Sequence, residues 1–231
     1  MKKSPVSLHS NTKLSAHSSK KSKKNVLSQS QVRIIGGQYK RRTVSFIDAD
    51  GLRPTPDRLR ETIFNWLLMD IHDARVLDSC AGSGVLGFEA LSRGAAHCTF
   101  IEANSIQAGQ LTQSAEQLRL EPHSYHIIYG PAERILAQNI AINTPFNIIF
   151  IDPPYAHNLW QPILTALISR ALINGDSLIY LEADKDLSTQ LDDLALSLNS
   201  IFRAQGYTGF ECVKQTKVGQ VIAGLYKLTS S

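Results

Sequence analysis

A four-residue motif, Asp152-Pro153-Pro154-Tyr155, directly follows an apolar run at residues 146–151. The two prolines fix backbone φ angles, so the Asp152 carboxylate and the Pro153 carbonyl are held in set directions. These two acceptors could bind both N–H groups of a planar amine and draw its nitrogen toward pyramidal geometry. The Tyr155 ring could stack on a nucleobase that carries this amine. The motif therefore indicates methyl transfer to a conjugated amine, with Asp152 also favouring the positive charge that develops on nitrogen.

A second motif lies upstream, where residues 78–87 read Asp-Ser-Cys-Ala-Gly-Ser-Gly-Val-Leu-Gly. Its glycines match the G-x-G-x-x-G pattern of loops that hold adenosine cofactors at the start of a helix. Asp78 would repel a pyrophosphate, but it could accept hydrogen bonds from a ligand ammonium group. S-adenosylmethionine has such a group and no phosphate, which favours it as the cofactor.

Further cofactor contacts are expected at the ends of the next two apolar runs. Glu102 is placed to bind both ribose hydroxyls of an adenosine. Ala132 belongs to a candidate adenine-contacting turn, Gly130-Pro131-Ala132. The predicted cofactor-binding residues are Asp78, Ala81, Gly82, Ser83, Gly84, Glu102 and Ala132.

The sequence pattern from residue 75 onward predicts the strands and helices that position both motifs. Short apolar runs alternate with helical patterns, which is typical of a parallel sheet with helices on both faces. The predicted strands are 75–79, 97–102, 124–129, 146–151, 176–182, 200–207 and 218–228. The predicted helices are 85–93, 105–119, 131–139, 159–171 and 187–197. Because no helix separates the last two strands, we expect them to form an antiparallel hairpin.

This arrangement predicts an α/β fold of the class I, S-adenosylmethionine-dependent methyltransferase type, with a Rossmann-like, mostly parallel seven-stranded sheet. Three regions are expected: a disordered basic tail at 1–31, a small β-rich appendage at 32–54 and the catalytic domain at 55–231. The catalytic domain is predicted to open with a helix that has Thr55 as its N-cap and Pro56 at its first position, and that runs to about Met69.

Positive charge is concentrated in the N-terminal quarter of the chain. The net charge is +4, yet residues 1–31 contain seven lysines and no acid, and residues 32–60 contain seven basic and three acidic residues. The remaining segment has 10 basic and 17 acidic residues. This asymmetry predicts that the N-terminal quarter faces a polyanion, although a lysine- and serine-rich tail could equally serve solvation alone. The residues expected to contact phosphate are Arg33, Lys40, Arg41, Arg42, Arg53 and Arg58.

The composition argues against several other classes of protein. No stretch approaches the roughly 20 apolar residues of a membrane span, and no signal-peptide pattern follows the N-terminal lysines. The chain is therefore expected to be cytoplasmic, without a membrane partner, and monomeric. Cys80, Cys98 and Cys212 lack the spacing of a metal site, so we predict buried, inert thiols and no bound metal.

Three further segments narrow the interpretation. They are Ile34-Ile35-Gly36-Gly37, the run RPTPDRLRETIFNWL from Arg53 to Leu67, and the run VLDSCAGSG from Val76 to Gly84. Together with the motif at 152–155, and in this order, they resemble the RsmD family of bacterial 16S rRNA guanine-N2 methyltransferases over roughly residues 32–228. Each motif alone occurs in several methyltransferase families. The resemblance is specific because all of these motifs occur together and in this order.

The resemblance implies a class I fold, S-adenosylmethionine as the methyl donor, and methylation of the 2-amino group of the guanine at position 966 of 16S rRNA. The partner it implies is 16S rRNA within the small ribosomal subunit or an assembly intermediate. Pro131 departs from the polar residue that is usual in this family, so only backbone contact with the adenine is expected there.

The tetrapeptide alone leaves adenine, cytosine and protein glutamine open as acceptors. A DNA adenine or cytosine methyltransferase would need a target-recognition domain, and no segment of useful length is evident. A glutamine methyltransferase normally has Asn in place of Asp152. A dinucleotide-binding oxidoreductase or a non-catalytic binding module would use only the glycine loop, and nicotinamide binding would distinguish it.

Overall fold

The computed structural model describes residue 1 and residues 28–47, 54–138, 141–154, 159–183 and 186–230. Two short strands, β1 (Gln29–Arg33) and β2 (Thr43–Ile47), pair antiparallel in a small sheet of their own. The other strands form one sheet in the order β5-β4-β3-β6-β7-β9-β8. They are β3 (Arg75–Asp78), β4 (His97–Glu102), β5 (Tyr125–Tyr129), β6 (Ile148–Ile151), β7 (Leu178–Ala183), β8 (Tyr207–Val218) and β9 (Val221–Ser230).

Helices cover both faces of the seven-stranded sheet, which is why its central strands are continuously apolar. One face packs against the β1–β2 pair and three helices: α1 (Asp57–Trp66), α2 (Val85–Ser92) and α3 (Ser105–Leu118). The other face packs against four: α4 (Ala132–Gln138), α5 (Trp160–Ser169), α6 (Leu187–Ser197) and α7 (Asn199–Ala204). All four residues of β6 are buried.

The sheet has the predicted methyltransferase architecture. Strands β5, β4, β3, β6 and β7 are parallel, while β9 pairs antiparallel with both β7 and β8. The terminal hairpin is therefore confirmed. In addition, β3 lies between β4 and β6, so the glycine loop after β3 and the residues after β6 meet at one edge of the sheet.

The strand predicted at 200–207 is wrong. Residues Asn199–Ala204 form α7, whose buried Phe202 packs edge-on against Phe210 with ring centroids 5.3 Å apart. The first strand of the hairpin instead occupies Tyr207–Val218, within the segment expected to be a loop. Its residues are mostly exposed and polar because β8 is an edge strand, and edge strands carry charge that prevents pairing with other molecules.

The N-terminal boundaries also differ from the expectation. Strand β1 begins at Gln29, so the appendage starts three residues before residue 32, and residues 2–27 of the predicted tail lie outside the described residues. Helix α1 begins at Asp57 with Pro56 as its N-cap and without a side-chain cap, so the prediction of Thr55 as the cap is wrong.

The appendage is fixed to the catalytic domain through the turn that follows β1. Gly37 has φ 72°, and a Cβ atom there would lie 1.8 Å from the carbonyl oxygen of Ser92. The same carbonyl accepts a hydrogen bond from the Gln38 N–H at 2.7 Å. Only glycine permits this approach, which joins the turn to the C-terminal end of α2. Within the described ranges, no helix is both long and apolar enough to cross a membrane.

Candidate active site

Three neighbouring parallel strands bring carboxylates to one edge of the sheet. β3 ends at Asp78, Asp152 directly follows β6, and Glu182 is the next-to-last residue of β7. The registers pair Asp78 with Phe150 and Ile151 with Leu181, so Asp152 and Glu182 lie side by side one step beyond. Because side chains alternate between the faces of a strand, all three point to the face that carries α1, α2 and α3. Asp78, Asp152 and Glu182 are called the carboxylate cluster below.

Asp78 caps the helix that follows the glycine loop. Its side chain accepts a hydrogen bond from the Gly87 N–H at 3.1 Å, in the first turn of α2, and the residue is only 4% exposed. Burial raises the pKa of Asp78 to about 7, the Gly87 hydrogen bond opposes this rise, and the negative charge of Glu102 adds to it. Asp78 is thus both a helix cap and an acid with an unusually high proton affinity.

The glycine loop is held by side chains from two other elements. Gly84 is the N-cap of α2 with φ 71°, a left-handed conformation that suits glycine. The Gly82 N–H donates to one Glu102 oxygen at 2.8 Å, and the Gln107 side chain donates to the Gly82 carbonyl at 2.7 Å. The second Glu102 oxygen accepts from the Asn104 N–H at 2.7 Å. The loop and the predicted ribose-binding acid are therefore one hydrogen-bonded unit.

The remaining predicted cofactor residues lie around this unit. Ala81 and Ser83 are buried in the loop, and the Ala81 N–H donates to Ile101 at the end of β4. Ala132 is buried at the start of α4. The Gly130 N–H donates to the Glu102 carbonyl at 2.9 Å, which joins the ends of β4 and β5. All seven predicted cofactor residues thus lie at the carboxyl ends of β3, β4 and β5.

Asp152 is half-buried, Pro153 is buried and Pro154 is exposed, while Tyr155 lies outside the described residues. Burial, followed by the charges of Glu182 and Asp78, raises the pKa of Asp152 well above its ordinary value. A hydrogen bond from the Thr55 side chain opposes the rise. The Thr55 side chain thus faces Asp152, and α1 has no side-chain cap.

Thr55 is itself held by a buried ion-pair network. Arg60 and Glu89 are both 0% exposed, and their side chains meet at 3.3 Å. Arg60 also donates to the carbonyl oxygen of Thr55 at 3.0 Å and pairs with Asp57 at 2.6 Å. Glu89 accepts from the Ile35 N–H at 2.8 Å and from Arg93 at 2.8 Å. This network, called the Arg60–Glu89 latch, fixes the appendage and the segment before α1 onto α2.

The six residues predicted to contact phosphate fall into two groups. Arg33 forms an ion pair with Asp57 at 2.8 Å, and Arg42 donates to the Leu118 carbonyl at 2.9 Å and to the Gln117 carbonyl at the end of α3. Lys40, Arg41 and Arg58 are exposed, and Arg53 lies outside the described residues. Two of the predicted contacts are therefore already bound to the protein itself.

The cysteines agree with the prediction in part. Cys98 is buried, and burial raises the pKa of the half-buried Cys80 to about 12. Cys212 is exposed on β8, so the prediction that it is buried is wrong. Within the described part of the chain, no group of three or more His, Cys, Asp or Glu side chains could hold a metal ion.

Sequence reasoning missed three residues that shape this site: Thr55, Gln107 and Glu182. A signal existed for Glu182, because an acid ending an apolar strand is the same pattern that identified Asp78, Glu102 and Asp152. Thr55 and Gln107 act across long sequence separations, and no local pattern marks them.

Known proteins match both the sequence and this arrangement. Residues 32–226 match the protein family described as Conserved hypothetical protein 95. Over 154 residues, the chain is 42% identical to the Ribosomal RNA small subunit methyltransferase D of Escherichia coli (strain K12), with 67% of this chain and 75% of that protein covered. The chain belongs to the RsmD family.

Two further relatives agree with membership in the RsmD family. The Ribosomal RNA small subunit methyltransferase D of Haemophilus influenzae is 40% identical over 157 residues, which cover 68% of this chain and 80% of that protein. The solved structure of yhhF from Escherichia coli superimposes with a TM-score of 0.70 at 32% identity, covering 87% of this chain and all of that one. The fold is therefore that of the Rossmann-like methyltransferases, as predicted.

Proposed function

We propose that this chain transfers a methyl group from S-adenosylmethionine to the exocyclic 2-amino group of a guanine in 16S rRNA. Relatives named as ribosomal RNA small subunit methyltransferases support rRNA methylation as the activity. One observation carries the chemistry: Asp152 lies beside the Asp78 loop on an adjacent strand. A carboxylate suited to an amine thus neighbours a loop suited to an adenosine cofactor.

The donor set of the loop fits S-adenosylmethionine. Asp78 can accept from the ligand ammonium group while it caps α2, because a carboxylate has lone pairs for several donors. The Glu102 oxygens each accept one backbone N–H and retain lone pairs for the two ribose hydroxyls. Ala81, Gly82, Ser83, Gly84 and Ala132 form the surrounding backbone surface. When bound, the cofactor supplies an electrophilic methyl group on a sulfonium ion.

The motif after β6 acts on the acceptor amine. The lone pair of the guanine 2-amino nitrogen is delocalised into the ring, which makes it a poor nucleophile. Asp152 and the Pro153 carbonyl accept its two N–H groups, so that the lone pair points toward the methyl donor. Pro154 keeps the turn rigid, and Tyr155 stacks on the flipped base. Asp152 stabilises the positive charge that develops on the nitrogen.

RNA binding is assigned to the exposed cations of the N-terminal region. Lys40, Arg41 and Arg58 are free to reach phosphate, and Arg53 is proposed to join them. Arg33 and Arg42 carry positive charge at the same surface, but their guanidinium groups also hold Asp57 and the end of α3. Phosphate contacts of this kind position an enzyme without reading the sequence.

Nucleoside analysis of 16S rRNA tests the proposal. RNA from cells that lack the protein should have lost one N2-methylguanosine, and incubation of their small subunits with the purified chain and S-adenosylmethionine should restore it. Loss of a methylated adenosine or cytidine would instead support the other amino-methyltransferases. If no methylated nucleoside changes, the rRNA substrate is wrong even though the fold stands.

A further inference from the structure

Glu182 lies beside the proposed catalytic motif, yet the proposed reaction gives it no role. It is 5% exposed, near the carboxyl end of β7. Its backbone is one step beyond the Ile151–Leu181 pair, which places it next to Asp152 on the adjacent strand. Neighbouring strands are about 4.8 Å apart, so the two carboxylates can contact adjacent groups of one ligand.

The Glu182 carboxylate is held in a fixed orientation. The Tyr180 hydroxyl donates to one of its oxygens at 2.6 Å, and Tyr180 is 0% exposed. The Tyr180 ring packs edge-on against Phe150, with centroids 5.9 Å apart. Both aromatic residues belong to the core face beneath the carboxylate cluster. The Tyr180 hydroxyl therefore fixes the orientation of the Glu182 carboxylate beside Asp152.

Two adjacent carboxylates repel each other, and the charge of Glu182 is the second largest cause, after burial, of the raised pKa of Asp152. A ligand that offers hydrogen-bond donors to both acids lowers the cost of this repulsion. The ligand that fits therefore presents several N–H groups side by side.

Nucleobases that carry an exocyclic amino group differ in the ring nitrogen that lies next to it. In guanine the neighbouring N1 carries a hydrogen, so the edge presents N1–H beside the 2-amino group. In adenine N1, and in cytosine N3, the ring nitrogen next to the amine is an acceptor, which a carboxylate repels. An acid beside the amine-binding residue thus distinguishes guanine from both other bases.

We propose that Glu182 is a specificity-determining residue, which accepts the N1–H of the target guanine while Asp152 and the Pro153 carbonyl accept its 2-amino group. The inference rests on the proposed function and deepens it, because it supplies a reason within this site for guanine over adenine. A site built around a substrate N–H rejects analogues that lack it far more strongly than a pocket selects by size.

The test uses 2-aminopurine, which keeps the 2-amino group but has an acceptor at N1. Small subunits are reconstituted with 16S rRNA that carries either guanine or 2-aminopurine at the target position, and single-turnover methylation is measured with the full chain. The wild type should prefer guanine by about 100-fold or more. In Glu182→Gln, the amide can donate to N1 of 2-aminopurine, so the preference should fall to within about tenfold.

Glu211→Gln is the matched control, since Glu211 is exposed on β8 and should leave the preference unchanged. If Glu182→Gln retains the wild-type preference, the inference is overturned. If this variant does not fold, Tyr180→Phe is measured in its place. Loss of the hydroxyl removes the bond that orients the Glu182 carboxylate, so the preference for guanine should fall several-fold. An unchanged preference again overturns the inference. A wild type that fails to methylate guanine contradicts the proposed function instead.

Discussion

Two groups of buried charge lie on the same face of the sheet, and they are built in opposite ways. In the Arg60–Glu89 latch, each buried charge has partners of opposite sign at 2.6 to 3.3 Å. In the carboxylate cluster, like charges are neighbours. Burial raises the pKa values of Asp78 and Asp152, and the charges of Glu182 and Asp78 raise that of Asp152 further, while Glu102 raises that of Asp78. The latch pairs opposite charges within the protein, whereas the cluster is suited to a ligand that brings further hydrogen-bond donors.

Thr55 connects the two groups. Its carbonyl oxygen accepts from Arg60, and its hydroxyl bonds Asp152. The latch therefore fixes the position of one acid in the cluster. We infer that the latch contributes stability and the cluster contributes function, since strongly shifted pKa values of buried acids are typical of ligand-binding sites. Substitutions in each group, and among the exposed cations, test this division.

The largest effect is expected from Glu89→Gln. This change leaves Arg60 buried without its full charge compensation, so the free energy of unfolding should fall by about 3–5 kcal/mol. Urea unfolding measures it. Glu116→Gln, at an exposed position on α3, is the control and should change the free energy by less than about 0.5 kcal/mol. A loss for Glu89→Gln no larger than the control would show that the latch does not hold the fold.

Thr55→Val should reduce methylation more than stability. It removes the hydrogen bond to Asp152 but keeps the carbonyl that Arg60 binds, so the methylation rate should fall by roughly tenfold or more. Because the lost bond favours the ionised acid, the pKa of Asp152 should rise and the pH–rate profile should move to higher pH. Thr62→Val is the control, since the Thr62 hydroxyl bonds only the Arg58 carbonyl within α1. An unshifted profile would contradict the positioning role.

Cofactor affinity should depend on the protonation of Asp78. An ammonium ligand binds the ionised acid, so affinity for S-adenosylhomocysteine should fall as the pH drops below about 7, by up to about tenfold per unit. Asp78→Asn still accepts from the Gly87 N–H but does not titrate, so its affinity should be lower and flat with pH. Calorimetric titration at several pH values measures both. Equal slopes in the two proteins would rule out Asp78 as the titrating group.

The raised pKa of Asp78 also makes the free energy of unfolding depend on pH. The Asp78 carboxyl ionises near 3.8 in the unfolded chain and near 7 in the fold. Its contribution to the free energy of unfolding is therefore most favourable at low pH and is lost as the pH rises from about 3.8 to about 7. Asp78→Asn should remove this part of the pH dependence.

The smallest effect is expected at the exposed cations. Lys40→Gln combined with Arg41→Gln should weaken RNA binding and reduce the salt dependence of affinity by a slope of about 2, one for each phosphate contact. Fold and cofactor affinity should not change. Lys217→Gln, at an exposed position on β8, is the control and should leave the slope unaltered. An unaltered slope in the double variant would remove these residues from the RNA surface.

Sequence patterns predict the strand ends and the glycine loop, because these features depend on residues close together in the chain. The ends of β3, β4 and β6 follow from short apolar runs that terminate in Asp78, Glu102 and Asp152, and the glycine loop marks the start of α2. The sequence predicts the first strand of the hairpin too early, because the polar edge strand β8 resembles a loop and the apolar pair Ile201-Phe202 in α7 resembles a strand. Short runs of this kind do not distinguish helix from strand.

The features of the site that the sequence does not predict depend on contacts between residues far apart in the chain. Glu182 neighbours Asp152 only because β6 and β7 pair with Ile151 opposite Leu181. Arg60 and Glu89 are 29 residues apart, and nothing local shows that both are buried together. For the same reason, the sequence predicts Arg33 and Arg42 as phosphate contacts without showing that both also bind the protein, and it does not show that Arg60 belongs to the core.

Asp152→Asn shows whether the carboxylate cluster serves function without any gain in stability. The free energy of unfolding and the single-turnover methylation rate should be measured on the same preparation. We expect an unchanged or higher free energy of unfolding, because one of three neighbouring acids is neutralised, together with a rate lowered by about 100-fold or more. A clear loss of stability with methylation unaltered would instead show that Asp152 is a structural residue like Glu89.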